Sequence, residues 1–135
     1  MSKSSLFGVA AVVLITAGCA PLAITALGVG GATAVNHTLT GIAYKTFTLP
    51  LPRVKSGALA ALDRMGIKVH GSSKEDGSDV IRATGNDRNI EVQLEPISAK
   101  STRMRVTAKQ SNGILYDSAT ATEIIIQTDK ILGSN

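Results

Sequence analysis

Aromatic residues are scarce in this chain of 135 residues, which has no tryptophan, two tyrosines and two phenylalanines. Proteins that stack nucleic-acid bases or sugar rings need clustered aromatic side chains, so neither ligand class is expected. A net charge of +4, spread along the chain, also lacks the clustered basic face of a nucleic-acid-binding protein. The sequence therefore predicts an aliphatic core and no nucleic-acid partner.

Cysteine is nearly absent as well, because Cys19 is the only one in the chain. A single cysteine excludes an internal disulfide. It follows a basic start at Lys3, an uncharged apolar run from Leu6 to Ala17, and a small residue, Gly18. This order is typical of a secretion signal rather than of a folded element.

The four residues from Thr16 to Cys19 resemble the lipobox of bacterial lipoproteins, although Thr16 stands where leucine is usual. The resemblance implies cleavage between Gly18 and Cys19, so that residues 1–18 form the signal peptide and Cys19 carries the acyl chains. Two or more such chains make a stable membrane anchor. Because Ala20 rather than aspartate follows the cysteine, the resemblance also implies the outer membrane, on its periplasmic side.

Two other interpretations of the N-terminus stay open. An ordinary signal peptidase would cut after Ala20, because residues 18–20 have the small-x-small form. In the second interpretation, residues 6–35 form an uncleaved membrane span with a kink at Pro21. Residues 19–40, which carry no charge from Ala20 to Val35, are predicted to be a Gly/Ala-rich tether. This tether either lies on the membrane or packs against a partner.

Residues 41–135 are predicted to form one α+β domain. A strand over residues 42–49 precedes two prolines and a helix over residues 53–65, whose apolar residues share one face. Gly66 is its expected stop. A second helix begins at Asp117 or Ser118 and extends to Leu132. Four more strands are predicted between the helices, at residues 67–70, 80–84, 89–95 and 103–109, with a polar loop over residues 71–77 and a turn over residues 85–88.

The last two strands alternate strictly, which predicts a hairpin and its register. In this register Leu94 faces Met104, Val92 faces Val106, and Glu95 lies opposite Arg103 on the solvent side. Both helices have one apolar face, so both are expected on the same side of the sheet. The predicted fold is a two-layer α+β domain with a mainly antiparallel sheet of about five strands, in the order β-α-β-β-β-β-α.

The whole mature chain resembles a family of small bacterial lipoproteins of unknown function. The resemblance is carried by the order of the lipobox, the Gly/Ala-rich segment, the strand with Tyr44, the Pro-flanked helix containing Ala58-Leu59-Ala60-Ala61-Leu62, the Gly66-Ile67-Lys68-Val69 stretch, several strands and a terminal amphipathic helix. It implies an α+β lipoprotein and transfers no catalytic or binding residue.

No nucleophile–base pair or metal-ligand spacing stands out, so neither an enzyme nor a cofactor or metal is expected. The acidic residues Glu75, Asp76 and Asp79 are interpreted as a solvated turn, because they lack the spacing of a calcium loop. His37 is expected in a solvated linker, and His70 is expected to point outward beside Lys68.

Basic residues recur along the predicted strands and form a candidate stripe across the exposed face of the sheet. Glu91 and Glu95 lie among them, so the alternatives are an anion-binding stripe and a salt-bridged solvent face. The predicted function is a non-enzymatic, lipid-anchored envelope protein that binds or scaffolds another envelope component. The alternative function is a carrier of a small ligand or an anionic lipid head group. The candidate face contains Arg82, Arg88, Arg103, Arg105 and Lys109.

Overall fold

The computed structural model describes residues 36–37 and 41–133. The predicted signal peptide (residues 1–18), Cys19 and most of the tether (residues 19–40) lie outside these described residues, so their predictions remain untested. No helix within the described part of the chain is both long and apolar enough to cross a membrane.

The described residues form one antiparallel sheet and two helices, which confirms the predicted α+β fold and its order of elements. The elements are β1 (Asn36–His37), β2 (Ile42–Phe47), α1 (Leu51–Arg64), β3 (Lys68–Glu75), β4 (Ser78–Gly85), β5 (Arg88–Ser98), β6 (Ser101–Gln110) and α2 (Ser118–Gly133). The two-residue β1 adds a short edge to the five predicted strands, and it includes His37, for which the sequence predicts a linker. The sheet order is β1-β2-β6-β5-β4-β3.

The β5–β6 hairpin has the predicted register. Leu94 pairs with Met104, Val92 with Val106, and Glu95 with Arg103. Strand β6 also pairs with β2, so the first long strand of the domain lies beside the last one. This pairing places β6 near the centre of the sheet, between β2 and β5.

Both helices cover the same face of the sheet and bury its alternating aliphatic side chains. Helix α1 begins at Leu51, two residues earlier than predicted, because Pro52 in its first turn loses no hydrogen bond there. It ends at Arg64, and Gly66 follows with φ of +69°. The fully buried side chains of the core include Val54, Leu62, Ile81, Val92, Leu94, Met104, Val106, Ile124 and Ile125.

Helix α2 begins with a side-chain cap at Asp117, one of the two predicted cap residues. Its Oδ1 accepts a hydrogen bond of 3.0 Å from the backbone N–H of Thr120, and its Oδ2 accepts one of 2.5 Å from Arg88 Nε. These hydrogen bonds, that from the Thr120 backbone first, lower the pKa of the Asp117 carboxyl. The cap therefore favours the ionised carboxylate and fixes the start of the helix.

The predicted polar loop at residues 71–77 is wrong, because β3 continues through it to Glu75. Strand β3 is the outer edge of the sheet, and all its residues are exposed. No apolar alternation is needed where neither face is buried, so the strand has the composition of a loop. The reversal occurs instead at Asp76 and Gly77, which have φ of +49° and +79°.

Asp79 corrects the prediction of a solvated acidic turn. It is buried in β4, on the side of the sheet that the helices cover, and its Oδ2 accepts a hydrogen bond of 2.8 Å from Lys55 Nζ of α1. Lys74 Nζ lies 3.9 Å from its Oδ1. Glu75 and Asp76 remain exposed as predicted. Asp79 therefore links α1 to the β3–β4 hairpin.

Candidate functional site on the open sheet face

The face of the sheet opposite the helices, here called the open face, carries most of the predicted basic residues. Because side chains alternate along a strand, every second residue of β6 points away from the core. The neighbouring strand β5 adds a row of carboxylate and amide side chains to this face. Its polar members include Arg82 on β4, Glu91, Gln93 and Glu95 on β5, and Arg103, Arg105, Thr107 and Lys109 on β6.

Two arginines of the open face form ion pairs across strands. Arg82 Nη2 lies 2.7 Å from Glu75 Oε1, and its Nε lies 3.7 Å from Glu91 Oε2. Arg103 Nη1 lies 3.2 Å from Glu95 Oε2, as the hairpin register predicts. All these side chains are about half exposed, so each pair contributes little to stability. Their main effect is to neutralise two of the four cations.

The Arg82–Glu75 pair shifts the titration of both groups in the expected directions. The hydrogen bond from Arg82 is the main cause of a lowered pKa of Glu75. The hydrogen bond to Glu75 is likewise the main cause of a raised pKa of Arg82. Both shifts move the pKa away from neutral pH, so both groups are charged there, whereas a general acid or base has its pKa moved toward neutrality.

Arg105 and Lys109 differ from these two arginines, because neither has a carboxylate partner within 4.0 Å among the described residues. Arg105 Nη1 lies 3.5 Å from Gln93 Oε1, an amide oxygen without net charge. Lys109 Nζ lies 5.3 Å from the centroid of the Tyr116 ring. The uncompensated positive charge of the open face is therefore concentrated on β6.

Two grooves cross the open face, and Arg105 lines both. The first, of about 840 Å³, extends from Ile42 and Tyr44 on β2 across Arg103 to the β3–β4 turn at Asp76. The second, of about 610 Å³, lies toward the other end of the strands and is lined by residues including His70, Arg82 and Lys109. Arg105 is therefore shared by the two grooves, and the first groove adds apolar and aromatic surface from Ile42 and Tyr44.

The structure thus brings together four of the five predicted basic residues, Arg82, Arg103, Arg105 and Lys109. Arg88 does not join them: it lies on the helix side of β5, where its guanidinium bonds Asp117. The reason is strand parity, because Arg88 shares its face with the buried Ile90. Sequence reasoning placed Arg88 in the stripe from its charge alone.

His70 is exposed, as predicted, and its Nε2 lies 2.5 Å from Thr84 Oγ1. No group of three or more His, Cys, Asp or Glu side chains within residues 41–133 has a metal-binding arrangement. The structure also contains a polar contact that sequence reasoning missed. Lys45 is buried on the helix side of β2 and its Nζ lies 2.5 Å from Asp129 Oδ1 of α2. It is a structural contact, remote from the open face.

Comparison with known proteins identifies a family for the chain without assigning it an activity. A family model described as "Protein of unknown function (DUF3568)" matches residues 4–126, which includes the N-terminal segment as well as most of the folded domain. No curated protein matches the chain. The family match transfers no functional residue, so the open face must be interpreted from its own chemistry.

Proposed function

The chain belongs to the DUF3568 family of proteins of unknown function, and we propose that it is a lipid-anchored envelope protein with a binding role rather than an enzymatic one. In this proposal Cys19 is acylated after cleavage at Gly18, and the anchor holds the domain on the periplasmic side of the outer membrane. The open face then binds an acidic segment of another envelope protein.

The anchor is supported by the position of the only cysteine. Cys19 directly follows an apolar run and two small residues, and 16 uncharged residues follow it before Asn36. A signal of this layout directs export, and acylation at its end gives a stable attachment. The folded domain supplies the other part of the proposal, because a domain held at the membrane is suited to keeping a partner near it.

The single observation that supports binding at the open face is the position of Arg105. Its guanidinium is exposed, lacks a carboxylate partner among the described residues, and lines both grooves. An unneutralised arginine between two grooves favours an anionic ligand, since a guanidinium forms paired hydrogen bonds with carboxylates. Lys109 extends the same positive charge along β6.

The shape of the face favours a protein segment over a small molecule. A small-molecule site usually encloses most of its ligand, whereas both grooves here are open to solvent on one side. Together they run the length of the central strands. The alternative function is a carrier of a small anion or a lipid head group, and the same arginine favours it. Recovery of bound protein or of bound lipid distinguishes the two functions.

We expect Arg105→Glu to reduce capture of the partner about tenfold, because it replaces attraction with repulsion at the centre of the face. The measurement is quantitative recovery of bound protein and lipid from solubilised membranes, using the full chain. Arg53→Glu is the matched control. It makes the same charge change at an exposed position in the first turn of α1, where an acidic residue is tolerated.

A stoichiometric protein lost with Arg105→Glu and retained with Arg53→Glu supports the scaffolding role. An anionic lipid lost in the same pattern, with no protein, supports the carrier instead. Equal recovery with both variants would refute binding at the open face.

A further inference from the structure

Three consecutive large apolar residues are exposed in the connection between β6 and α2. Ile114 is 76% exposed, Leu115 56% and Tyr116 49%. Residues 111–116 carry no charge, and the turn residues Ser111-Asn112-Gly113 are followed directly by the three apolar ones. Residues 114–116 are here called the apolar loop. Isolated exposed apolar residues are common, but an adjacent group of this size marks an interaction site.

Backbone hydrogen bonds hold the apolar loop in place. The N–H of Gln110 donates to the carbonyl of Leu115 at 2.9 Å, and the N–H of Gly113 donates to the carbonyl of Gln110 at 2.7 Å. Tyr116 also forms a bridge with Lys109 at the end of β6. The loop therefore presents its side chains from a fixed backbone, which lowers the entropic cost of binding through them.

The apolar loop packs against the residue that immediately precedes β2. Gly41, at the start of β2, packs so closely on Tyr116 that an added Cβ would lie 2.5 Å from the Tyr116 Cβ. Asn36, the first described residue, pairs with Tyr44, three residues further along β2. Three strand residues span about 10 Å, and Tyr44 itself pairs with Arg105 in the middle of β6, so the tether joins the domain level with the middle of the strands.

The length of the tether limits how far the domain is from the proposed anchor. Only 17 residue steps separate Cys19 from Asn36, and they span at most about 60 Å when fully extended. Because residues 20–35 carry no charge, the tether itself favours the membrane surface. With Cys19 acylated, Asn36 is therefore held within about 60 Å of the bilayer, a distance that leaves the apolar loop able to reach it.

We propose that the apolar loop docks on the bilayer and fixes the orientation of the domain, an inference that rests on the proposed lipid anchor. Ile114 and Leu115 would enter the boundary between head groups and acyl chains. Tyr116 has an apolar ring and a polar hydroxyl, as interfacial residues do. Lys109, beside that ring, is placed to meet anionic head groups. The open face remains available to its partner, because the loop lies at one end of the strands.

The absence of tryptophan makes this orientation directly measurable. Leu115→Trp introduces the only indole of the protein in the apolar loop. Ile97→Trp is the matched control, because Ile97 is 47% exposed and lies near the other end of β5. Nine strand residues separate Ile97 from Arg88, which is about 30 Å along the sheet. The acylated full chain is reconstituted in vesicles of phosphatidylethanolamine and phosphatidylglycerol, with or without brominated phosphatidylcholine.

We expect the brominated lipid to quench the indole fluorescence of Leu115→Trp at least twice as strongly as that of Ile97→Trp, with a blue-shifted emission for Leu115→Trp only. Equal quenching of the two variants would overturn the docking proposal. A blue shift in Leu115→Trp without quenching would also overturn it, because the loop would then be covered by protein.

Flotation of the same samples tests the anchor separately from the docking. Protein that fails to float with the vesicles refutes the lipid anchor. Floating Leu115→Trp protein whose indole is unquenched refutes only the docking of the apolar loop.

Discussion

Ile125→Asp is expected to unfold the domain. Ile125 is fully buried in α2 against the sheet, with Ala121, Ile124 and Thr128 on the same stripe. The substitution removes roughly 1.5–3 kcal/mol of apolar burial and adds an unpaired buried carboxylate, which costs several kcal/mol more. A domain of this size has a free energy of unfolding of only about 5–15 kcal/mol. The far-UV circular dichroism of the variant should therefore show no cooperative melt.

The control for this experiment is Gln127→Asp in the same helix. Gln127 lies off the buried stripe and donates a hydrogen bond to Glu123, one turn earlier. Losing that bond and placing two like charges four residues apart should cost well under 1 kcal/mol. If Ile125→Asp melted within a degree or two of the parent, α2 would not be docked on the sheet, contrary to the structure.

Asp129→Ala should also destabilise the domain strongly, by roughly 2–4 kcal/mol, because it leaves the Lys45 ammonium buried without its carboxylate. Lys45 is 6% exposed on the face that α2 covers, and its Nζ also lies 4.7 Å from the centroid of the Phe47 ring. The expected cost is below that of a fully buried pair, since the Asp129 side chain is 36% exposed. Chemical denaturation of the variant and the parent measures the difference.

The double variant Lys45→Met/Asp129→Ala is the matching control. Methionine fills a similar volume without a charge, so the double variant should regain most of the stability that Asp129→Ala loses. A double variant no more stable than Asp129→Ala would show that the loss comes from packing rather than from the unpaired ammonium. An Asp129→Ala variant as stable as the parent would contradict a structural role for the pair.

The parts of the fold that the sequence predicts are those with one buried face. Strands β5 and β6 alternate strictly, so their hairpin and even the Glu95–Arg103 pair are predictable from residue spacing. Helix α2 is predictable for the same reason, because its aliphatic stripe repeats with the helical period. Strand β3 is not predictable in this way, since it is exposed on both faces and its residues 71–75 have the composition of a loop.

The buried charges show a second limit of local sequence patterns. Lys45 alternates with Ala43 and Phe47, which places it on the buried face, but its partner Asp129 is 84 residues away. Asp79 likewise receives its hydrogen bond from Lys55, in a different element. Only the pairing of β2 with β6 and the packing of the helices bring these groups together. Single-sequence spacing does not contain that information.

The sequence predicts which residues form the candidate site, but it does not predict the shape of that site. Strand parity places Arg82, Arg103, Arg105 and Lys109 on one face, and the same rule correctly applied excludes Arg88. Which cations are neutralised depends on side-chain distances across the sheet, and each groove is lined by side chains from several strands. Arg105 emerges as the central residue only when both are known.

Attachment through Cys19 is the central claim of the proposed function, and metabolic labelling with palmitate tests it most directly. The full chain and its Cys19→Ser variant are expressed in bacteria that process lipoproteins, and the label and the length of each product are measured. We predict that the parent incorporates palmitate and loses residues 1–18, whereas Cys19→Ser takes up no label and keeps the precursor length. Equal labelling of the two chains, or a parent that carries no label, would contradict the lipid anchor.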